Sequence, residues 1–178
     1  MGELLTVLVT VATLLAVALA IRAWRGLRAR ARRRTVPGAP TWHRVLRVVD
    51  GDTLDVEMSG HTVRVRVLGV DTPETVHPDK PVEFYGPEAS AEAHRLLDGQ
   101  WVQVRMDLWR REHVDGYGRL LAYVGLPDGT DYGWLMVVNG YAQEMTFAGQ
   151  GYEHQRDYQW AEHLARTQHV GMWAPVHS

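Results

Sequence analysis

A chain of 178 residues, 46% of them apolar and none of them cysteine, can bury the core of one domain; it excludes disorder, a disulfide framework and a thiolate metal site. Its formal charge of −2 conceals two opposed parts: seven arginines lie between Arg22 and Arg34, whereas beyond Arg34 twelve basic residues face twenty acidic ones, a balance of about −8. So acidic a domain repels polyanions at long range, and any attraction for phosphate has to come from a local site.

The first element is an apolar run from Leu4 to Ile21, interrupted only by Thr6, Thr10 and Thr13. As a helix it reaches about 27 Å, enough to cross a thin bilayer. It reads as an N-terminal transmembrane helix, or as a signal sequence cleaved near Ala20 at the small residues Ala18-Leu19-Ala20. The positive charges follow the run, which favours a cytoplasmic C-terminal side if the helix is retained. The arginines of 22–40 read as a juxtamembrane flank among anionic head groups, or as a basic arm that gathers nucleic acid. Pro37-Gly38-Ala39-Pro40 breaks any helix and sets a boundary, which divides the chain into 1–21, 22–40 and a domain over 41–178.

Beyond that boundary the pattern becomes alternating. Leu54, Val56 and Met58 alternate with polar residues, Ser59-Gly60 supplies a turn, and Val63, Val65 and Val67 alternate again, which predicts a hairpin with one buried face. Pro87 to Leu97 predicts a helix with Ala91, Leu96 and Leu97 turned inward and Gly99 past its end. Trp101 to Met106 and Leu120 to Val124 read as strands. Trp134 to Val138 reads as a short helix ending at Gly140, and Gln155 to Thr167 as a last helix that packs through Trp160, Ala161 and Leu164. The sum is a small β-barrel with helices against it.

Three polar stretches interrupt this pattern: Asp50-Gly51-Asp52-Thr53; Arg66 followed by Asp71-Thr72-Pro73-Glu74-Thr75; and Asp115-Gly116-Tyr117-Gly118-Arg119. Singly, each has a plain reading as a turn, a helix N-terminus or a hairpin. Together they hold the groups that phosphodiester hydrolysis needs. Guanidiniums and a hard cation neutralise the charge gained in the transition state, and a carboxylate can activate water. No His-Glu-x-x-His occurs, and the nine histidines are scattered, so nothing suits zinc.

At these residues the chain resembles the staphylococcal-nuclease-like (thermonuclease) family. The likeness is carried by Val49-Asp50-Gly51-Asp52-Thr53, by Arg66 to Thr75, by His77-Pro78-Asp79-Lys80, by Tyr85-Gly86-Pro87-Glu88-Ala89-Ser90-Ala91, and by Asp115 to Tyr123. Gly140-Tyr141-Ala142 and Trp173 fit as well, so the likeness runs from about Arg44 to Trp173. The resemblance implies an OB-fold, a five-stranded barrel with three helices, whose concave face suits single-stranded DNA or RNA. It implies a calcium (Ca2+) cofactor held by Asp52, Asp71 and the Thr72 carbonyl, with Asp50 just outside that shell. It implies Glu74 at the attacking water, Arg66 and Arg119 as the clamp on phosphate, and Lys80, Tyr85 and Tyr117 as substrate contacts. It further implies cleavage at the 5′-oxygen side, leaving 3′-phosphates. No obligate protein partner is implied.

Two departures stand out. The family's base-stacking tyrosine has no counterpart in Gln143-Glu144-Met145-Thr146-Phe147-Ala148-Gly149, where Phe147 is the available ring and the next tyrosine is Tyr152. Lys80 is the only lysine. The alternative to a membrane-associated nuclease is a weak or inactive OB-fold module that binds nucleic acid or protein. What separates the two is whether the set of Asp52, Asp71, Glu74, Arg66 and Arg119 is whole, and it is.

Overall fold

The computed structural model describes residues 42–75, 81–146 and 149–175. Residues 4–21 and 22–40, the 76–80 segment with Lys80, and Phe147 therefore lie outside the described residues. Among the described residues no helix is long and apolar enough to cross a membrane.

Five strands close a barrel in the order β1-β2-β3-β6-β5. They are β1 (Trp42–Asp50), β2 (Thr53–Met58), β3 (His61–Val67), β5 (Trp101–Arg105) and β6 (Leu120–Gly125). The helices are α1 (Gly86–Leu97), α2 (Tyr132–Val138) and α3 (Gln155–Thr167). This is the five-stranded barrel with three helices that an OB-fold requires. A ribbon of β4 (Val70–Asp71) and β7 (Gln143–Glu144) lies outside the barrel and was not foreseen from the sequence.

The β2–β3 hairpin forms because Ser59 and Gly60 both take positive φ, 52° and 78°, the conformation of a two-residue turn whose twist matches the strands. Leu54, Val56, Val65 and Val67 fill the barrel interior, each contributing about 1.5–3 kcal/mol by leaving water. The opposite face is solvated only toward the turn, where Glu57, Thr62 and Arg64 are exposed. Asp55 is buried between Arg47 and Arg64, and Thr53 and Arg66 are buried too. The Arg64 hydrogen bond holds the Asp55 carboxyl below its usual range, against the opposing effect of burial.

Strand β1 was missed because its alternation is broken. Its register with β2 shifts between Val45 and Arg47 and again between Val48 and Asp50. Those irregularities turn Val45 and Val48 inward, while Trp42 to Arg44 pair with β5, so one bent strand closes the barrel. β3 and β6 run parallel, which needs a long connection; α1 and β5 supply it.

Helix α1 begins one residue before its expected start, at Gly86, with Pro87 in its first turn. It buries Ala89, Ala93 and Leu97, spaced by four, whereas Ala91 is exposed and Leu96 only partly covered. Helix α2 starts two residues early because Asp131 caps it, accepting from the Trp134 N–H at 3.1 Å. It ends before Gly140 (φ 69°), where a Cβ would meet the Val170 carbonyl. Helix α3 has the expected bounds but packs through Tyr158, Ala161 and Ala165; Trp160 is 59% exposed, a correction to the inward face read from the sequence.

Candidate active site

Most of the candidate residues come from the ends of β1, β3 and β4, gathered where the Asp50-Gly51-Asp52 turn meets the β3–β4 connection. Gly51 permits that meeting. A Cβ there would fall 2.7 Å from Thr72 Cγ2, so only glycine lets the two segments touch. The Tyr132 hydroxyl, fully buried at the start of α2, donates to the Gly51 carbonyl at 2.6 Å and fixes the turn from below.

Asp52 is buried and held at both carboxylate oxygens. Its Oδ1 accepts from Thr53 Oγ1 at 2.8 Å, and its Oδ2 accepts from the Thr72 N–H and hydroxyl at 3.1 and 3.2 Å. The same Oδ2 lies 3.0 Å from Arg66 Nη1. Arg66, 9% exposed, also reaches the carbonyls of Val67 and Val70, and its Nη2 pairs with Asp71 Oδ1 at 3.1 Å. One guanidinium therefore joins Asp52 and Asp71. The Asp71 side chain, 37% exposed, is the open side of the cluster. Its other oxygen accepts from Gln143 Nε2 at 3.2 Å, because β7 lies directly beside β4. Gln143 gave no signal in the sequence, since the contact depends on a two-residue ribbon between distant segments.

Asp50 stands beside this pair. Its Oδ1 accepts from Gly51 N–H at 2.8 Å and from Thr75 Oγ1 at 3.0 Å. Burial, then the nearby Asp52 charge and a hydrogen-bonded Glu74, push its carboxyl up to about 6, against the lowering effect of the Gly51 and Thr75 donors. Glu74 sits in irregular backbone, not at the helix N-terminus that proline allowed. Glu83 braces it: the Glu83 N–H donates to the Glu74 carbonyl at 2.9 Å, and Glu83 Oε2 accepts from the Glu74 N–H at 3.1 Å. Gly86 packs beneath the same stretch, where a Cβ would crowd Thr75 Cγ2 at 2.7 Å.

Arg119 is not in contact with this cluster. It precedes β6 and pairs with Asp115, Nε to Oδ2 at 2.7 Å. Asp115 makes a tight turn by accepting the N–H groups of Tyr117 and Arg119, both at 2.9 Å. These hydrogen bonds hold its carboxyl below the ordinary range although burial works the other way. Tyr117, 86% exposed, has its ring 5.3 Å from the Arg119 guanidinium. Tyr85 caps α1 with φ 66°, its ring 5.8 Å from that of Tyr141, and burial pushes its hydroxyl up. Tyr152 is a core residue, packed on Gly69 and bonded to Glu144 at 2.8 Å, so it cannot stack on a base.

Among the described residues no group of three or more His, Asp or Glu side chains converges to hold a metal ion. The two carboxylates that do converge, Asp52 and Asp71, meet on a guanidinium. Hard anionic oxygens already gathered around one positive charge are a donor set that suits calcium or magnesium.

The barrel, with carboxylates and a guanidinium joined at one strand-end corner, defines the class as an OB-type domain. The Staphylococcal nuclease homologue family matches residues 64–175, more than half of the chain, and the protein belongs to that family. The match takes in Arg66, Asp71, Glu74 and Arg119, while Asp50 and Asp52 precede it. The thermonuclease of Staphylococcus intermedius is 50% identical over 84 residues, 47% of this chain and 48% of that protein. The thermonuclease of Staphylococcus hyicus is 48% identical over the same length. The SPbeta prophage-derived endonuclease YokF of Bacillus subtilis (strain 168) is 33% identical over 128 residues, 72% of this chain and 42% of that protein. The matched part thus spans about half the length, or less, of these relatives.

Proposed function

We propose that the domain is a metal-dependent nuclease that hydrolyses phosphodiester bonds of DNA and RNA on the 5′-oxygen side to leave 3′-phosphates. The observation that carries this reading is the Arg66 bridge between Asp52 and Asp71, at 3.0 and 3.1 Å, with Asp50 and Glu74 beside it. The named activities of the thermonuclease and endonuclease relatives support it.

Asp52, Asp71 and the Thr72 carbonyl would hold calcium, which supplies neutralisation of phosphate charge and a polarised water. Glu74 orients the attacking water and takes its proton, and its Glu83-braced backbone keeps it in place. Arg66, already turned toward the exposed side of Asp71, and Arg119 at the rim donate paired hydrogen bonds to phosphate oxygens. Tyr117, Tyr85 and Lys80 contact the nucleotide. Asp50 orients the Asp52 turn and the Thr75 hydroxyl. Water adds to phosphorus and the bond to the 5′ oxygen breaks.

The apolar run Leu4–Ile21 attaches this domain to a membrane, with 22–40 as the basic flank. Fractionation of expressing cells tests this part: the full chain in the membrane fraction is expected, and a soluble form beginning near Ile21 would replace the anchor with a cleaved leader. The activity is tested by incubating the full chain with single-stranded DNA and calcium, with and without a chelator. Calcium-dependent release of 3′-phosphorylated fragments is expected. Undiminished cleavage in chelator would remove the metal, and no cleavage in calcium would leave a binding module on the same barrel.

A further inference from the structure

We propose that the outer face of β1 and β5, carried by Trp42, Arg44, Leu46 and Trp101, is a contact surface for an anionic lipid bilayer, which seats the barrel with its Asp50 corner turned away from the membrane. It rests on the membrane attachment read from Leu4–Ile21 and extends it to how the domain is held there.

Alternation along β1 sends His43 and Val45 inward and leaves Trp42, Arg44 and Leu46 outside. Strand β5 starts the same way, with Trp101 outside and Val102 inside. The register brings the two sets together. Arg44 is the cross-strand partner of Trp101, and Trp42 that of Gln103, so Trp42 is the diagonal neighbour of Trp101. Partners stand about 5 Å apart and diagonal neighbours about 7–8 Å, within reach of aromatic side chains. The indoles therefore share one face, placed there by a hydrogen-bonded ladder. Trp42 is 42% exposed, Trp101 55% and Leu46 46%. The next stretch of the same surface is covered: Tyr123 lies under His154, ring centroids 4.2 Å apart, and Arg105 pairs with Glu153 at 2.6 Å. The two tryptophans keep about half of their surface in water.

Three observations select a lipid surface as the occupant. The first is where the tether enters. The apolar run ends at Ile21, and the first described residue is Trp42 itself. Extended, the twenty residues between them reach at most about 70 Å, so attachment alone leaves the barrel free to turn. A second contact at the point of entry forms at the high local concentration that the tether imposes. The second is chemistry. Indoles and guanidiniums beside an aliphatic chain settle at head-group level, with apolar bodies in the acyl boundary and polar tips in water. Over the adjoining outer positions three guanidiniums, Arg44, Arg47 and Arg64, face two carboxylates, Asp55 and Glu57, a local balance of +1 on a domain near −8. The third is orientation. Strand β1 runs nine residues from this face to Asp50, at most about 27 Å, so the catalytic corner lies at the far end of the strand, clear of the bilayer and open to a polynucleotide.

The chain contains no cysteine, so a single cysteine at an exposed position can carry a nitroxide label without interference. The full chain is reconstituted into equimolar phosphatidylserine/phosphatidylcholine vesicles, labelled at Leu46→Cys or at Val82→Cys; Val82 is exposed and adjoins Glu83, the brace of Glu74. Flotation reads attachment. Relaxation of the label by oxygen, which concentrates in lipid, against relaxation by a water-soluble nickel chelate reads seating. Both labelled chains are expected to float, position 46 with the lipid pattern and position 82 with the water pattern. Adding Trp42→Ala and Trp101→Ala is expected to turn position 46 to the water pattern while the chain still floats. Adding Arg44→Ala is expected to lower the ratio of lipid-type to water-type label about 5-fold, as loss of one basic residue near anionic head groups does. A floating chain with the water pattern at position 46 overturns the seating and leaves the anchor intact. A chain that does not float overturns the anchor, and the seating with it. Spin–spin broadening at position 46 that persists in detergent makes the face a contact between copies, and shielding that appears only with oligothymidylate makes it a polynucleotide surface; either result overturns the seating.

Discussion

Arg66 and Arg119 carry the same guanidinium into opposite surroundings. Arg66 is buried in the strand-end corner and bonded to two carboxylates and two backbone carbonyls. Arg119 stands at the rim, with one carboxylate behind it and an exposed tyrosine ring beside it. Their counter-ions differ as well: Asp115 keeps two backbone N–H donors of its own, whereas Asp52 shares one oxygen between Thr72 and Arg66. The difference teaches that two arginines in one proposed clamp need not be equivalent. One ties two carboxylates together, and the other is held at the rim by a single carboxylate.

The largest effect should separate them by stability. Arg66→Ala leaves Asp52 buried without its cation and is expected to cost about 3–5 kcal/mol in chemical denaturation. Arg119→Ala also leaves a buried carboxylate without its cation, but Asp115 keeps two backbone N–H donors, so the loss should be smaller, about 1–3 kcal/mol. Equal losses in both would erase the distinction. Next in size, Arg119→Ala should lower turnover on single-stranded DNA by about 100- to 1000-fold, as removal of one transition-state donor does; an unaltered rate would take it out of the clamp. Glu74→Gln should lower turnover by at least ~100-fold with the fold intact by circular dichroism.

Gly51→Ala probes the corner alone. The added methyl meets Thr72 and should cost about 1–3 kcal/mol, with a loss of calcium affinity readable by calorimetry; unchanged stability and affinity would show the contact to be slack. The smallest expected effect lies at the rim. Because the folded Asp115 carboxyl titrates below its unfolded value, its contribution to stability is present above about pH 4 and is lost as the pH falls further. Asp115→Asn should therefore flatten the acid limb of the stability curve below about pH 4 while lowering stability at neutral pH. An identical acid limb in the variant would mean that Asp115 gains nothing from its donors.

Much of this molecule is decided locally. The Ser59-Gly60 turn, the alternation of β2 and β3, the bounds of α3 and the approximate extent of α1 follow from conformational preference and periodicity, which act over a few residues. So do the motifs that identify the family, because glycine, aspartate and arginine at fixed spacing carry their chemistry in their identities. What is not local was not legible. β1 was hidden by its register shifts, and the β4–β7 ribbon, at two residues a strand, is too short to leave a pattern. Ala91 and Trp160 were read as inward because apolar character alone does not fix a helix's rotation; the neighbouring element does.

In the site, the sequence by itself determined which groups are present: Asp50, Asp52, Arg66, Asp71, Thr72, Glu74 and Arg119 can be named without coordinates. Only the tertiary structure decided who meets whom. It set Arg66 between Asp52 and Asp71, brought Gln143 and Glu83 to residues 72 and 9 positions away, ran Tyr132 under Gly51, and left Arg119 to Asp115. The physical reason is that hydrogen bonds and ion pairs act over about 3 Å, and which distant segments come that close is fixed by closure of the barrel and by the packing of the helices against it.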